Sequence, residues 1–269
     1  MNDYNKRNVD FKNIHATSPT HFDIFYEILH AHTPTSLLDI GGGYGSLLLE
    51  YLNRYSTLNF KYHILEPSSF QIEKGKKMLA EQNKGQIENL SVDYLHSDFL
   101  ASSFPQQSFS HIILKMALHE FEKKHQRLVL NKVFELLQDD GIVLVWMPLL
   151  KDHDFNFFNA VIKEKDYQAG YLTLSSQRYF CHQNEFLEMA NGAGFSKVDL
   201  AFNFEYILDT HLRLASEFNT KKAAYYNWLT YINNLYNDLP LAQQNQISLL
   251  SFPNRIFIQF FRGLYLLKK

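Results

Sequence analysis

At 269 residues the chain is long enough for one large α/β domain with an added element, or for two small domains, and the first is favoured. Lys and Arg number 26 against 28 Asp and Glu, a net charge of −2 with no basic run beyond pairs such as Lys76-Lys77, which excludes the footprint of a nucleic-acid binder. A single cysteine, Cys181, excludes an internal disulfide and a cysteine-rich metal site; with a polar N-terminus and no apolar run of ~18 residues, a soluble cytoplasmic protein without a membrane span is expected.

Residues 1 to about 20 are polar, and Ser18-Pro19-Thr20 opens a helix whose apolar face is Phe22, Phe25, Tyr26, Ile28 and Leu29. Leu37 to Ile40 then reads as a buried strand that breaks into Gly41-Gly42-Gly43-Tyr44-Gly45 and restarts as a helix at Ser46. Gly41, Gly43 and Gly45 allow positive φ or a close backbone approach, and the helix start points unpaired N–H groups into the same space. Such a turn at the carboxyl end of a parallel strand is where doubly wound folds bind small molecules. The dinucleotide pattern G-x-G-x-x-G fails, because Ser46 stands where the third glycine belongs. Asp39, just ahead of the glycines, suits a cationic ligand better than a pyrophosphate.

Phe60 to Glu66 is a second strand ending in a carboxylate, at the distance from the glycine loop where dinucleotide folds place the acid that accepts from ribose hydroxyls. A helix through Gln71 to Glu81 stops at Asn83-Lys84-Gly85. Leu90 to Leu95 forms a third strand, followed by His96-Ser97-Asp98-Phe99, where Asp98 is either a ligand contact or a turn cap. Within the stretch Phe109 to Phe121, Ile112 to Leu114 make a fourth strand, after which Lys115-Met116-Ala117-Leu118-His119-Glu120 crosses the mouth of the site. An amphipathic helix from Leu128 to Gln138, a stop at Gly141 and a buried strand from Ile142 to Met147 follow.

Residues 148 to 182 read as an irregular stretch serving as lid or substrate wall, or as solvated loop. Asp152-His153-Asp154 within it is disfavoured as a metal site, since adjacent residues rarely converge on one ion. Asn184 to Met189 starts a helix closed by Ala193-Gly194-Phe195, and Lys197 to Tyr206 alternates as a strand. Thr220 to Leu239 is an aromatic-striped helix, Pro240 starts a short one, and Arg255 to Phe261 is a final strand. The stripe covers the sheet in the first reading and caps a substrate in the second; a dimer contact is a third use. Sixteen Tyr and 23 Phe exceed what a core needs, so aromatic-rich packing and a pocket for a flat ligand are both open.

The run Asp39-x-Gly41-x-Gly43-x-Gly45 resembles motif I of class I S-adenosylmethionine-dependent methyltransferases, and Asp98-Phe99 falls at the position of their motif III. Leu118-His119-Glu120, with the glycine turn before strand five, is similar to the small-molecule O-methyltransferases. The resemblance covers residues 35 to 200 and, less fully, the last strand. It implies a doubly wound Rossmann-like α/β fold with a seven-stranded sheet and a C-terminal helical insertion before the last strand. The units would be an N-terminal helical segment (1–35), the cofactor-binding core (36–210), a helical insertion or cap (211–252) and the final strand (253–269). It implies S-adenosyl-L-methionine held by Asp39, Gly41, Gly43, Gly45, Glu66, Asp98, Phe99 and Lys115, with Glu66 on the ribose and Asp98 on the adenine amino group. His119 takes the place of a general base and Glu120 that of its acidic neighbour, for O-methylation of a small aromatic hydroxyl compound; no metal is implied.

The chain departs from the plant-type enzymes in lacking room for their N-terminal dimerisation domain, which leaves a homodimer open. It also has Pro67-Ser68-Ser69 after Glu66 where they carry aspartate-leucine-proline. Lys115-Met116-Ala117-Leu118 stands where amide and adenine N-methyltransferases have an Asn/Asp-Pro-Pro-aromatic segment, which disfavours those substrates. The alternatives are methylation of carbon or nitrogen on a small molecule, a non-catalytic S-adenosylmethionine-binding regulator, and a nicotinamide-dependent reductase.

Overall fold

The computed structural model describes residues 19–55, 57–83, 91–219 and 221–269 of the chain. The polar segment 1–18, the Lys84-Gly85 helix stop and Leu90 at the expected start of the third strand lie outside the described residues.

Strand β1 (Ser36–Ile40) is an apolar run with a single carboxylate, and all but its first residue are buried. Burial on both faces is what a central parallel strand requires. It pairs in parallel with β2 (Lys61–Glu66) on one side and β4 (Phe109–Lys115) on the other. β3 (Val92–His96) pairs in parallel with β2, and β5 (Leu137–Pro148) with β4. The order is β3-β2-β1-β4-β5-β8-β6, so the sequence direction reverses between β1 and β4, the switch point at which such sheets bind ligands.

The period of two along each strand divides the core between the faces. Leu38, Ile112, Val143 and Val145 pack with Val129, Leu130 and Val133 of α4 (Lys123–Leu136) and Phe186 of α7 (Gln183–Gly192). On the other face Leu37, Ile113, Leu144 and Trp146 pack with Phe25 and Leu29 of α1 (Pro19–Ala31) and Leu47 and Leu48 of α2 (Ser46–Arg54). The Tyr26 hydroxyl donates to the Leu47 carbonyl at 2.8 Å, tying α1 to α2. Helix α3 (Ser69–Asn83) follows β2 and completes the cover.

The sheet closes with an antiparallel hairpin of β6 (Lys197–Asp209) and β8 (Arg255–Lys268), β8 lying between β5 and β6. β5 pairs only with Arg262 to Lys268, so the first half of β8 projects past it, with β6 on one side and a short eighth strand, β7 (Leu249–Phe252), on the other. A second core rests on this projection. It joins Ile258 and Phe260 of β8 to α5 (Asp152–Ala169), α6 (Leu172–Gln177) and α9 (Lys222–Asn237) through Phe158, Val161, Leu174, Trp228 and Ile232. The Trp228 indole N–H donates to the Val161 carbonyl at 2.8 Å. The aromatic stripe of α9 therefore covers projecting strands. Helices α8 (His211–Ser216) and α10 (Leu241–Gln244) flank α9 in the segment between the hairpin strands.

Two local expectations are corrected. The stretch 148–182 is not irregular: Phe157, Phe158, Val161, Ile162, Lys165 and Ala169 form the buried stripe of the 18-residue helix α5. Two charged residues inside that stripe, Lys165 and Asp166, broke the apolar pattern and concealed it. The Lys151 backbone N–H donates to Asp154 at 2.7 Å, so the Asp152-His153-Asp154 run serves a helix start, and among the described residues no three potential ligands converge on a metal. Gly141, expected as a helix stop, lies inside β5, where an added Cβ would stand 2.7 Å from the Ser110 carbonyl oxygen; the glycine permits close strand approach beside a register shift. Among the described residues no helix is long and apolar enough to cross a membrane.

Candidate functional site

At the end of β1 the chain turns through Gly41 (φ 67°), Gly43 (φ 59°) and Gly45 (φ 83°), all in the left-handed region that favours glycine. The Gly41 N–H donates to the Leu65 carbonyl at 2.8 Å, and the Gly43 N–H to Glu66 Oε2 at 3.0 Å. Glu66 Oε1 accepts the Ser68 N–H at 2.9 Å, so this carboxylate at the tip of β2 holds two backbone turns at once. Burial pushes its acid up to about 7 against the pull of those two N–H groups. Asp39 lies beneath the loop, its Oδ2 accepting from the Tyr62 hydroxyl at 3.0 Å. Burial raises it to about 6, opposed by the Tyr62 hydrogen bond and by Lys115. Lys115 is half-buried and lowered to about 8, first by desolvation and then by Arg262.

These groups face one cleft of about 760 Å³, within the usual range for ligand pockets. Asp39, Gly41, Gly43, Glu66, Asp98, Phe99, Lys115 and Glu120 all line it. Asp98 accepts the Leu100 N–H at 2.8 Å through Oδ1, and Phe99 is buried with the Lys132 ammonium 4.9 Å from its ring centre. Gly45 is not on the wall. A Cβ there would meet Ile64 Cδ1 at 2.8 Å and the Tyr94 hydroxyl at 2.9 Å, so its work is packing α2 onto the sheet.

His119 is also off the cleft wall. Leu118–Glu120 is a 3₁₀ turn, in which successive side chains point about a third of a turn apart, and Glu120 reaches the cleft wall where His119 does not. The His119 ring stacks on Phe180 with centroids 4.2 Å apart, and its Nε2 lies 3.4 Å from Glu120 Oε1. It lines a second cavity of about 70 Å³ behind Met116 and Glu120, which face both spaces. Met116 holds a φ of 53°, uncommon for a bulky side chain, with its N–H donating to the Trp146 carbonyl at 2.7 Å. Such strain clusters at functional sites.

Sequence reasoning missed several wall residues. Thr173 and Gln177 reach the cleft from α6, and the next residue, Arg178, grips Glu120 through Nη2 at 2.8 and 2.9 Å and Asp166 through Nη1 at 2.7 Å. Arg213 and Arg262 reach the smaller cavity from α8 and β8. Only the apolar period of α5 and α6 could have signalled the first group; nothing local marks the second.

Residues 37–141 match the family described as a methyltransferase domain. Over 177 residues the chain is 29% identical to the ubiquinone/menaquinone biosynthesis C-methyltransferase of Bartonella bacilliformis, a match spanning 60% of this chain and 64% of that relative, less than two thirds of its length. Among solved structures, a Bacillus halodurans protein with a provisional methyltransferase name superposes with a TM-score of 0.72 at 14% identity, over 93% of this chain and 99% of its own. A Haemonchus contortus phosphoethanolamine N-methyltransferase, solved with S-adenosylhomocysteine and phosphomonomethylethanolamine, superposes with a TM-score of 0.50 at 14% identity, over 92% of this chain and 53% of its own. The sheet and its covering helices thus have the Rossmann-like architecture of the methyltransferase structures they superpose on, and the match to the methyltransferase-domain family falls on residues 37–141, the half of the sheet that forms the cleft.

Proposed function

We propose that the protein is an S-adenosyl-L-methionine-dependent methyltransferase that methylates the hydroxyl of a small, aromatic acceptor. The observation that carries the reading is the Glu66 carboxylate, buried at the tip of β2, on the cleft wall and locked to the Gly43 N–H. The cleft fits the cofactor chemically. Glu66 can accept from a pair of vicinal ribose hydroxyls, Asp98 from an exocyclic amino group, and Asp39 suits a cationic amino-acid end. Phe99 offers an apolar face to the base, and Lys115 a cation to a carboxylate. Gly41 and Gly43 allow close approach of the ligand, and Gly45 supports them by packing.

When bound, the cofactor supplies a methyl on a sulfonium, so that a carbon–sulfur bond breaks as the bond to the acceptor forms and S-adenosylhomocysteine leaves. Met116 and Glu120 form the wall where an acceptor would seat. His119, backed by Glu120 at 3.4 Å, is the base assigned to take the hydroxyl proton, a contribution of about 10²- to 10⁴-fold. Two features favour a second reading, a carbon acceptor: His119 stands behind the wall, and the Bartonella relative is named a C-methyltransferase.

Calorimetric titration with S-adenosylhomocysteine tests the cofactor, and a turnover screen over phenols and activated carbon acids tests the acceptor. Micromolar binding with turnover of phenols, lost in His119→Ala, supports the first reading. Turnover of carbon acids alone supports the second. Binding with no turnover of any acceptor would fit a regulatory protein, and NADH binding without S-adenosylhomocysteine binding would overturn the reading.

A further inference from the structure

The turn that follows β3 is gathered round one ammonium group. Lys132 stands on the shoulder of the buried stripe of α4, between Val129 and Val133, and its side chain crosses to the segment 98–102. There Nζ donates to the Phe99 carbonyl at 2.6 Å and the Ser102 carbonyl at 2.5 Å, with the Leu100 carbonyl and Ser102 Oγ each at 3.3 Å. An ammonium has three N–H groups to give, and the acceptors of a single turn take them. Lys132 is half-buried, and that desolvation lowers it from its ordinary value while Asp98 and Glu135 pull the other way. A lysine on a helix flank ordinarily keeps its head in water, whereas this one is given over to backbone carbonyls.

The same turn carries Asp98 and Phe99, the residues set against the adenine of the cofactor. The Asp98 carbonyl accepts the Ser102 N–H at 2.9 Å and Asp98 Oδ1 accepts the Leu100 N–H at 2.8 Å, so one carboxylate oxygen is tied to the turn and the other is left for a ligand. Asp98 is exposed, so packing does not set its direction; the shape of the turn does. The Lys132 ammonium also lies over the Phe99 ring, 4.9 Å from its centre. Carbonyl dipoles aimed at one point repel one another once the cation between them is gone. Lys132 itself does not line the cleft, and it meets the ligand only through the turn it holds.

We propose that Lys132 is a positioning residue for adenine recognition: by drawing together the carbonyls of Phe99, Leu100 and Ser102 it fixes the turn that aims Asp98 at the exocyclic amino group. This rests on the methyltransferase reading of the cleft. A hydrogen bond weakens steeply as its angle departs from linear, so a carboxylate on a loosened turn accepts from the amino group poorly. The contribution of Lys132 is therefore to selectivity for the amino group, not to affinity for the ribose or the amino-acid end.

The probes are S-adenosylhomocysteine and its 6-deamino analogue, in which hydrogen replaces the amino group of the adenine, each titrated calorimetrically into the full chain. Wild type should bind S-adenosylhomocysteine about ten- to a hundredfold more tightly than the analogue, as expected for a hydrogen bond to a charged group. Lys132→Met should bring that ratio close to unity, and Lys132→Arg, whose guanidinium still donates to several carbonyls, should restore most of it. Glu66→Ala serves as the control, weakening both ligands alike and keeping the ratio, because the ribose is common to both. A lysine with a merely structural role would lower thermal stability and weaken both ligands in proportion; a wild-type ratio in Lys132→Met therefore overturns the proposal. Should that variant not fold, Lys132→Gln, which keeps N–H donors on a shorter stem, must show a reduced ratio, and an unchanged one overturns the proposal equally. Tight binding of both ligands by wild type with a ratio near unity would remove Asp98 from adenine recognition and overturn the proposal while the cofactor reading stands. No binding of S-adenosylhomocysteine by wild type would overturn the cofactor reading, and the proposal with it.

Discussion

Glu66 Oε2 accepts the Gly43 N–H at 3.0 Å, so the acid at the tip of β2 fixes the glycine loop at the tip of β1. Both turns of the cleft thereby depend on one carboxylate whose proton is retained up to about pH 7.

The first prediction follows from that proton. Hydroxyls donating to Glu66 favour its ionised form, so binding below pH 7 must expel the proton, and affinity rises with pH. S-adenosylhomocysteine affinity should climb by up to about tenfold per pH unit below 7 and level off above it. Glu66→Ala should bind about ten- to a hundredfold more weakly, as expected for lost hydrogen bonds to a charged group, with that slope removed. Calorimetry from pH 5.5 to 8.5 checks it; a flat wild-type profile would show that Glu66 does not meet the ligand.

Asp39 carries a stability cost that also has a sign. The folded protein keeps this proton to about pH 6, while the unfolded chain releases it near 3.8, so the folded state binds more protons in between. Stability contributed by this site therefore falls as pH rises through that window. Asp39→Asn retains an acceptor for Tyr62 and removes the titration. Its stability relative to wild type should grow by up to about 3 kcal/mol between pH 4 and pH 7, read by urea denaturation at each pH. A constant difference would mean the carboxylate is not desolvated.

The parts of this architecture that were legible in the sequence are local. Leu37 to Gly45 states a strand, a turn and a helix start within a few residues, and Glu66 and Asp98 stand at strand ends where spacing points to them. Helix α5 was hidden because Lys165 and Asp166 sit in its buried stripe and are satisfied by Glu217 and Arg178 from other elements. No neighbour in sequence announces such a partner. The direction of His119 was equally unreadable, since a three-residue 3₁₀ turn decides it. Arg262 lay just past the expected final strand, Arg255 to Phe261; β8 instead continues to Lys268, pairs Arg262 with Pro148 of β5, and so brings it to the smaller cavity.

The second core should respond as a packed interior. Trp228 is fully buried, stacks near Phe218 with centroids 5.6 Å apart, and donates to Val161. Trp228→Ala removes the ring and leaves the Val161 carbonyl without that donor, at a cost of about 3–5 kcal/mol. Trp228→Phe should lose less, keeping most of the volume. Chemical denaturation of both variants checks the order, and equal losses would point to the hydrogen bond rather than the packing.

Arg178 is the joint between the two cores, since one guanidinium holds Glu120 on the cleft wall and Asp166 inside α5. Asp166 is fully buried, so Arg178→Met leaves its carboxylate with Lys165 at 3.1 Å and without the guanidinium, and takes the same guanidinium from Glu120. Breaking such a buried pair costs about 3–5 kcal/mol. Glu120→Gln alone should cost less, because Arg178 keeps Asp166 and the amide still accepts one hydrogen bond. If the Glu120 contact is energetically real, the double variant will lose less than the sum of the two single losses, the difference being their coupling. Urea denaturation of all four proteins measures it. Strict additivity would mean that Arg178 acts on stability through Asp166 alone and that the Glu120 contact serves only to aim the carboxylate at the wall shared by the two cavities.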